Sequence, residues 1–384
     1  MNMYNAISHD ETPQVRKQAA IVLNEMIKLI PKVSETELLN IFSRFYKDEQ
    51  DTVRMQGIDS CVCFAHQLPP AKVTAYLLPY IKKFADDKSW RIRYLVADRI
   101  MDLARGIGFE QAKEVLLPFY AAFLKDAESE VRTAAVGRLA DFCKILDAQS
   151  IIVKIIPNLK DLESDSFTYV RSALAENILS ICPIIERGPT NDHVLPIFLN
   201  LLRDENSEVR LNLFKRLEDL NQVIGIENLQ ESIIPSLTDL SQDKNWRIKL
   251  SVVQQFPVLA RQLGEPFFNE RLNPISVAWL QDSIFTIREA AIENFKELSK
   301  IFGAQWAGRF AVQRLIALHT DPNYLHRQTP LFGITALAKI VTIDTIRRQF
   351  LPVLLTLSQD RVANIRMNVA KSIGSLFPVI MSQL

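Results

Sequence analysis

Glycine is scarce in this chain, 11 of 384 residues. Sheet proteins use glycine at hairpins and bulges, and no stretch here alternates apolar and polar residues for long enough to argue for a strand. Cysteine is scarce too. Cys61, Cys63, Cys143 and Cys182 lie in apolar, helical-looking stretches, without the spacing of a disulfide framework or a zinc site, which fits a reduced, intracellular protein. Charge of one sign is absent: 45 Lys and Arg face 44 Asp and Glu, so the net charge of +1 gives no electrostatic case for nucleic acid or an anionic membrane. No apolar run approaches the roughly 20 residues of a bilayer span. The opening MNMYNAISHDETP has neither the basic start nor the apolar stretch of a secretion signal.

Chemistry-bearing motifs are also missing. His9, His66, His193, His319 and His326 have no mutual spacing suited to zinc. There is no nucleophile elbow and no P-loop, and GIG at 106–108 lacks the strand-before-helix context of a nucleotide loop, so it is read as a helix C-terminal turn. These absences lead to an expectation of no catalytic residues, no metal, no cofactor and no small-molecule substrate.

What the chain does have is a repeat. An Asp, four residues, a β-branched residue and a base recur as DETPQVR (10–16), DEQDTVR (48–54), DKSWRIR (87–93), DAESEVR (126–132) and DSFTYVR (165–171). They continue as DENSEVR (204–210), DKNWRIK (243–249), DSIFTIR (282–288), DPNYLHR (321–327, with His326 in the β-branched slot) and DRVANIR (360–366). The first step is 38 residues and every later one is 39. Proline recurs on the same grid at Pro79, Pro118, Pro157, Pro196, Pro235, Pro274 and Pro352, with Asn40 and Gln313 in the remaining slots.

After each box the apolar residues keep helical spacing: Val131, Ala135, Leu139 and Phe142 in one copy; Ile248, Val252, Phe256 and Leu259 in another; Ile365, Val369, Ile373 and Leu376 in the last. Each unit therefore reads as helix A, carrying the proline, a turn carrying the Asp, and helix B. Thr12, Ser89, Asn206, Asn245 and Asn323 are placed to cap helix B, and Pro13 suits its first turn. A helix pair of this size cannot bury its apolar face alone, so units must stack. The expected fold is all-α, a right-handed superhelical α-solenoid of about ten units, on the order of 80–100 Å long at usual helix spacings. A single array is expected over 1–384, with units near 1–33, 34–70, 71–108, 109–147, 148–186, 187–225, 226–264, 265–303, 304–342 and 343–384. The period and the proline favour HEAT repeats over the tetratricopeptide, ankyrin or armadillo types.

The repeated columns are read as structural. An Asp and an Arg in every unit can form a ladder between neighbours, as in Asp126 and Arg132, Asp204 and Arg210, Asp282 and Arg288. The proline column is expected to bend helix A, and Pro330, at an apolar offset of helix B, to cause a local kink. Specificity belongs instead to the third residue after the Asp, which reads Pro13, Asp51, Trp90, Ser129, Thr168, Ser207, Trp246, Phe285, Tyr324, Ala363. Three successive units carry Trp246, Phe285 and Tyr324, with Arg247 and Arg327 nearby, and a row of exposed aromatics beside basic residues suggests a docking edge.

DKSWRIRYLVAD (87–98), DKNWRIKL (243–250), AWLQDSIFTIREAA (278–291), DPNYLHR (321–327) and VANIRMNVAKS (362–372) closely resemble the HEAT-repeat scaffold (A, PR65-type) subunit of serine/threonine protein phosphatase 2A. The resemblance spreads over all ten units. It implies a phosphatase catalytic subunit held on C-terminal repeat turns by Trp246, Arg247, Phe285, Tyr324 and Arg327, where Phe285 replaces a usual tyrosine. It implies a regulatory B-type subunit held on earlier turns by Pro13, Arg16, Lys17, Asp51, Trp90 and Arg91, although Lys17 stands where Arg is more common. The family has about fifteen units, so the chain is expected to be a fragment or a shortened member. A cytoplasmic location is expected, with the nucleus as a second, and the balanced charge leads to an expectation of no nucleic-acid or membrane partner. The alternatives are a HEAT-type nuclear transport receptor or a regulator of a related phosphatase.

Overall fold

In the computed structural model, residues 2–30 and 34–382 are described, and every regular element among them is helical, with no strand. Residues 31–33, at the expected boundary between the first two units, lie outside the described residues. The chain forms two compact bodies, Met1–Gly225 and Ile226–Leu384. Their division falls on the repeat boundary at 225/226 read from the period. Within each body the helices are stacked hairpins of a HEAT-type α-solenoid.

Helix B begins at the variable column in all ten units. Its starts are Pro13, Asp51, Trp90, Ser129, Thr168, Ser207, Trp246, Phe285, Tyr324 and Ala363. The apolar stripe then turns inward. Val131, Ala135, Leu139 and Phe142 are buried in the first body; Ile248, Val252, Phe256 and Leu259 in the second. Burial of each large side chain stabilises the stack by roughly 1.5–3 kcal/mol. The tenth unit differs. Ile365, Val369 and Leu376 are buried, but Ile373 is 50% exposed, on a side of Ala363–Met381 that also bares Met367 and Phe377.

Helix A is not a simple bent helix. In six units a five-residue π turn interrupts it: Ile151–Ile155, Thr190–Val194, Leu229–Ile233, Phe268–Leu272, Ala307–Ala311 and Ile346–Phe350. The residue before each column position donates its N–H five residues back, as Ile156 does to Ile151 and Leu351 to Ile346. A proline ring clashes with the carbonyl four residues earlier, and the wider turn moves that carbonyl aside. The same turn precedes Gln313, where no proline is present, so the repeat's packing also favours it. At Pro79 the helix is broken at Leu77, whereas Pro118 lies inside the continuous Phe109–Phe123. Pro330 causes no break: Tyr324–Leu337 runs through it, and the buried Thr329 hydroxyl beside it donates to the Leu280 carbonyl at 3.2 Å.

The GIG segment is a helix terminus. Ile100–Ile107 ends at Gly108, whose φ of 91° suits glycine. Gly106 permits a close approach, because a Cβ there would lie 2.2 Å from the Cβ of Ala65.

Candidate docking edge

The turn between helices A and B is built by the box residues. In all ten units the box Asp accepts the backbone N–H two residues later, at 2.7–3.0 Å. This Asx turn sets the entry to helix B. Asn206, Asn245 and Asn323 add side-chain caps to the N–H of Glu208, Arg247 and Leu325, while Thr12 and Ser89 make no such bond.

The box Arg closes the same turn and reaches the next. Arg132 donates from Nη1 to the carbonyls of Asp126 and Ala127, and from Nε and Nη2 to the Asp165 carboxylate at 2.7 and 3.0 Å. Arg54, Arg93 and Arg171 grip Asp87, Asp126 and Asp204 in the same two-pronged way. Arg210 donates from Nη1 to the carbonyls of Asp204 and Glu205. In the second body Lys249 meets Asp282 at 2.6 Å, and Arg327 grips Asp360 at 2.7 and 3.0 Å. Arg288 departs from the series. Its Nη1 holds the Asp282 and Ser283 carbonyls, but it makes no ion pair with Asp321.

The ladder engages two of the expected docking residues. Arg327 is 6% exposed and its fork is taken by Asp360. Arg16 grips Asp48 at 2.6 and 2.9 Å. Both side chains take part in the stack, because the box base occupies the helix face turned toward the following unit. Electrostatics agree. Hydrogen bonding to Asp360 raises the Arg327 guanidinium above its usual value, and the same bond holds the Asp360 carboxyl below the carboxylate range.

The variable column behaves differently. Phe285 is 48% exposed and Tyr324 41%. Trp246 is half-buried, with the exposed Arg247 guanidinium 4.6 Å from its ring centroid. These three aromatics open helix B of three consecutive units, Trp246–Phe267, Phe285–Phe302 and Tyr324–Leu337. An open groove of about 490 Å³ continues from Phe285 along helix B, lined by Leu250, Gln254, Glu289 and Phe332 among others. The two phenylalanine rings meet edge to face at 6.2 Å.

In the first body Trp90 is half-buried under Arg91, 4.8 Å from its ring centroid. Asp51 receives the Ser89 hydroxyl at 3.0 Å and lies 3.8 Å from Arg91, so Asp51, Trp90 and Arg91 form one cluster. Pro13 is half-buried and Lys17 exposed one helix earlier. The column also hides a pair. Phe167 and Tyr169 flank Thr168, are 46% and 44% exposed, and pack their rings 5.5 Å apart, with Tyr169 hydrogen-bonded to Ser129. Reading one position per unit passes over them; two aromatics either side of a column position were the available signal.

A family model described as PPP2R1A-like HEAT repeat matches residues 109–185, one described as PIK3R4-like, middle domain, matches 186–339, and one described as HEAT repeat matches 350–380. The A-type regulatory subunit of protein phosphatase PP2A from Schizosaccharomyces pombe is 38% identical over 107 residues, 27% of this chain and 18% of that protein. Its counterpart from Saccharomyces cerevisiae is 36% identical over 83 residues, 21% of this chain and 13% of that protein. The matched segments thus span less than a fifth of these relatives' length. Among solved structures, Kap95p with RanGDP aligns with a TM-score of 0.68 at 13% identity, over 98% of this chain and 51% of that one. Importin beta aligns with 0.68 at 11%, over 98% and 53%. At such identities the likeness to transport receptors is one of fold alone. The chain is built of HEAT-type repeats, and segments of it are similar to the A-type regulatory subunits of PP2A.

Proposed function

We propose that the chain is a non-catalytic scaffold that docks a PP2A-type phosphatase catalytic subunit on the turn edge carrying Trp246, Arg247, Phe285 and Tyr324. A regulatory B-type subunit is assigned to the separate edge carrying Pro13, Lys17, Asp51, Trp90 and Arg91. The single observation that carries this reading is the contrast within one turn. The box Asp and most of the box bases are spent on the frame, while the variable slot presents large, partly exposed aromatics in three consecutive units. Aromatic and arginine anchors are what protein interfaces concentrate at their centres. Such a scaffold acts by raising effective concentration and fixing geometry, and its expected place is the cytoplasm and nucleus.

Co-purification from cells with a tagged chain tests the proposal. Recovery of a phosphatase catalytic chain with wild type, and its loss with Trp246→Ala plus Tyr324→Ala, is expected. A catalytic chain retained by the double variant would remove this edge from the account. Recovery of a Ran-type GTPase without any phosphatase would favour the transport-receptor alternative.

A further inference from the structure

The ladder has an open rung at Arg288, and that rung lies on the aromatic edge. Arg288 sits 33 residues before Asp321, the spacing at which Arg54, Arg93, Arg132, Arg171 and Arg327 each grip the next box Asp. Its Nη1 makes the usual bonds to the two turn carbonyls, 2.7 Å to Asp282 and 3.2 Å to Ser283, so the guanidinium is held by the same anchor as in the closed rungs. Asp321 has been drawn elsewhere. Its Oδ2 accepts from Gln281 Nε2 at 3.1 Å and lies 3.2 Å from His326 Nδ1, while Oδ1 keeps the Asx bond to the Asn323 N–H. His326 is the residue that replaces the β-branched side chain of the box, so this diversion is peculiar to the ninth unit.

Arg288 is left 4% exposed, with Nε and Nη2 bonded to nothing among the described residues but not sealed from solvent. Burial lowers its proton affinity, and Asp282 only partly offsets this. A buried guanidinium without a carboxylate is costly, and a two-pronged carboxylate is the partner its planar fork fits best. The approach is marked by Phe285, whose half-exposed ring lies 5.6 Å from the Arg288 Cζ.

We infer that Arg288 is a receiving site for a carboxylate brought by the protein that docks on the Phe285–Tyr324 edge, an aspartate, glutamate or chain-terminal carboxylate completing the rung that Asp321 leaves open. This rests on the docking reading proposed above. Phe285 supplies the apolar contact beside it, and the Arg288 fork supplies the charge recognition. The partner would therefore carry an acidic group next to an apolar one at this point of contact.

The test measures affinity of the full chain for an immobilised, purified PP2A-type catalytic subunit, with thermal midpoints of every variant taken in parallel. Arg288→Gln is expected to weaken binding about 10-fold or more, as for loss of a charge-assisted hydrogen bond. Arg288→Lys, which keeps the charge and stem but not the fork, is expected to fall between. A second variant leaves Arg288 in place: Gln281→Ala with His326→Val releases Asp321 to fill the fork, and is expected to weaken binding by competition. If wild type binds and either Arg288→Gln or the double variant binds within two-fold of it, the carboxylate site is wrong while the docking edge stands. If wild type does not bind, the docking reading falls and this inference falls with it.

Discussion

Asp360 shows what a single box residue does. Its carboxylate takes the Arg327 fork on one side and the Val362 N–H on the other. The bond from Arg327, opposed by burial and helped by the Val362 amide, keeps its folded-state pKa below the usual value. A lowered folded pKa contributes stability that is fully present above the unfolded pKa of about 3.9 and is lost as pH falls through the folded value. The thermal midpoint should therefore drop as pH is taken below about 4. The gap between wild type and Asp360→Asn should narrow over the same range, as thermal melts followed by circular dichroism will register. Arg327 belongs to the same pair and is buried, so Arg327→Gln should destabilise the fold by about 3 kcal/mol, read as a lower denaturation midpoint. A loss confined to partner binding, with the midpoint intact, would return Arg327 to the docking edge.

At the scale of helices and turns, the period alone places helix B. Every helix B starts at the variable column because the Asx turn and the capping residues are local chemistry, visible in the sequence. Helix A is less legible. The proline column suggests a bend, but the π turn before it depends on how neighbouring helices pack, and it survives at Gln313 without a proline. Pro352→Gln should accordingly change the thermal midpoint by no more than a degree or two, equivalent to about 1 kcal/mol at most, and leave helix content unchanged. Gly106 is the opposite case. Its missing Cβ lets Ile100–Ile107 approach Asp51–Gln67, and Gly106→Val should destabilise by about 1–3 kcal/mol through overpacking. Denaturant titration distinguishes the two.

The candidate site is legible in the same uneven way. Trp246, Phe285 and Tyr324 stand out because aromatics break a polar pattern at a fixed position. Arg16 and Arg327 cannot be separated from them by sequence, since a docking arginine and a ladder arginine are the same letter in the same box. Only the position of the next Asp carboxylate shows the ladder role. Arg288 is expected from its spacing to complete a rung, but Asp321 meets Gln281 and His326 instead, side-chain contacts that spacing does not reveal.

For the molecule as a whole, stacked repeats divide the work between columns. Within each body, buried stripes and most rungs of the Asp–Arg ladder hold units to their neighbours, so stability is spread along the stack. Positions outside that frame are free to differ, and they set what docks. Affinity for a purified PP2A-type catalytic subunit, measured by calorimetry for wild type and for Trp246→Ala with Tyr324→Ala, separates frame from address. Loss of at least about 30-fold in affinity, with thermal midpoints unchanged, is the result expected of an address. Equal affinity for the two proteins, or a loss that follows the unfolding of the variant, would contradict it.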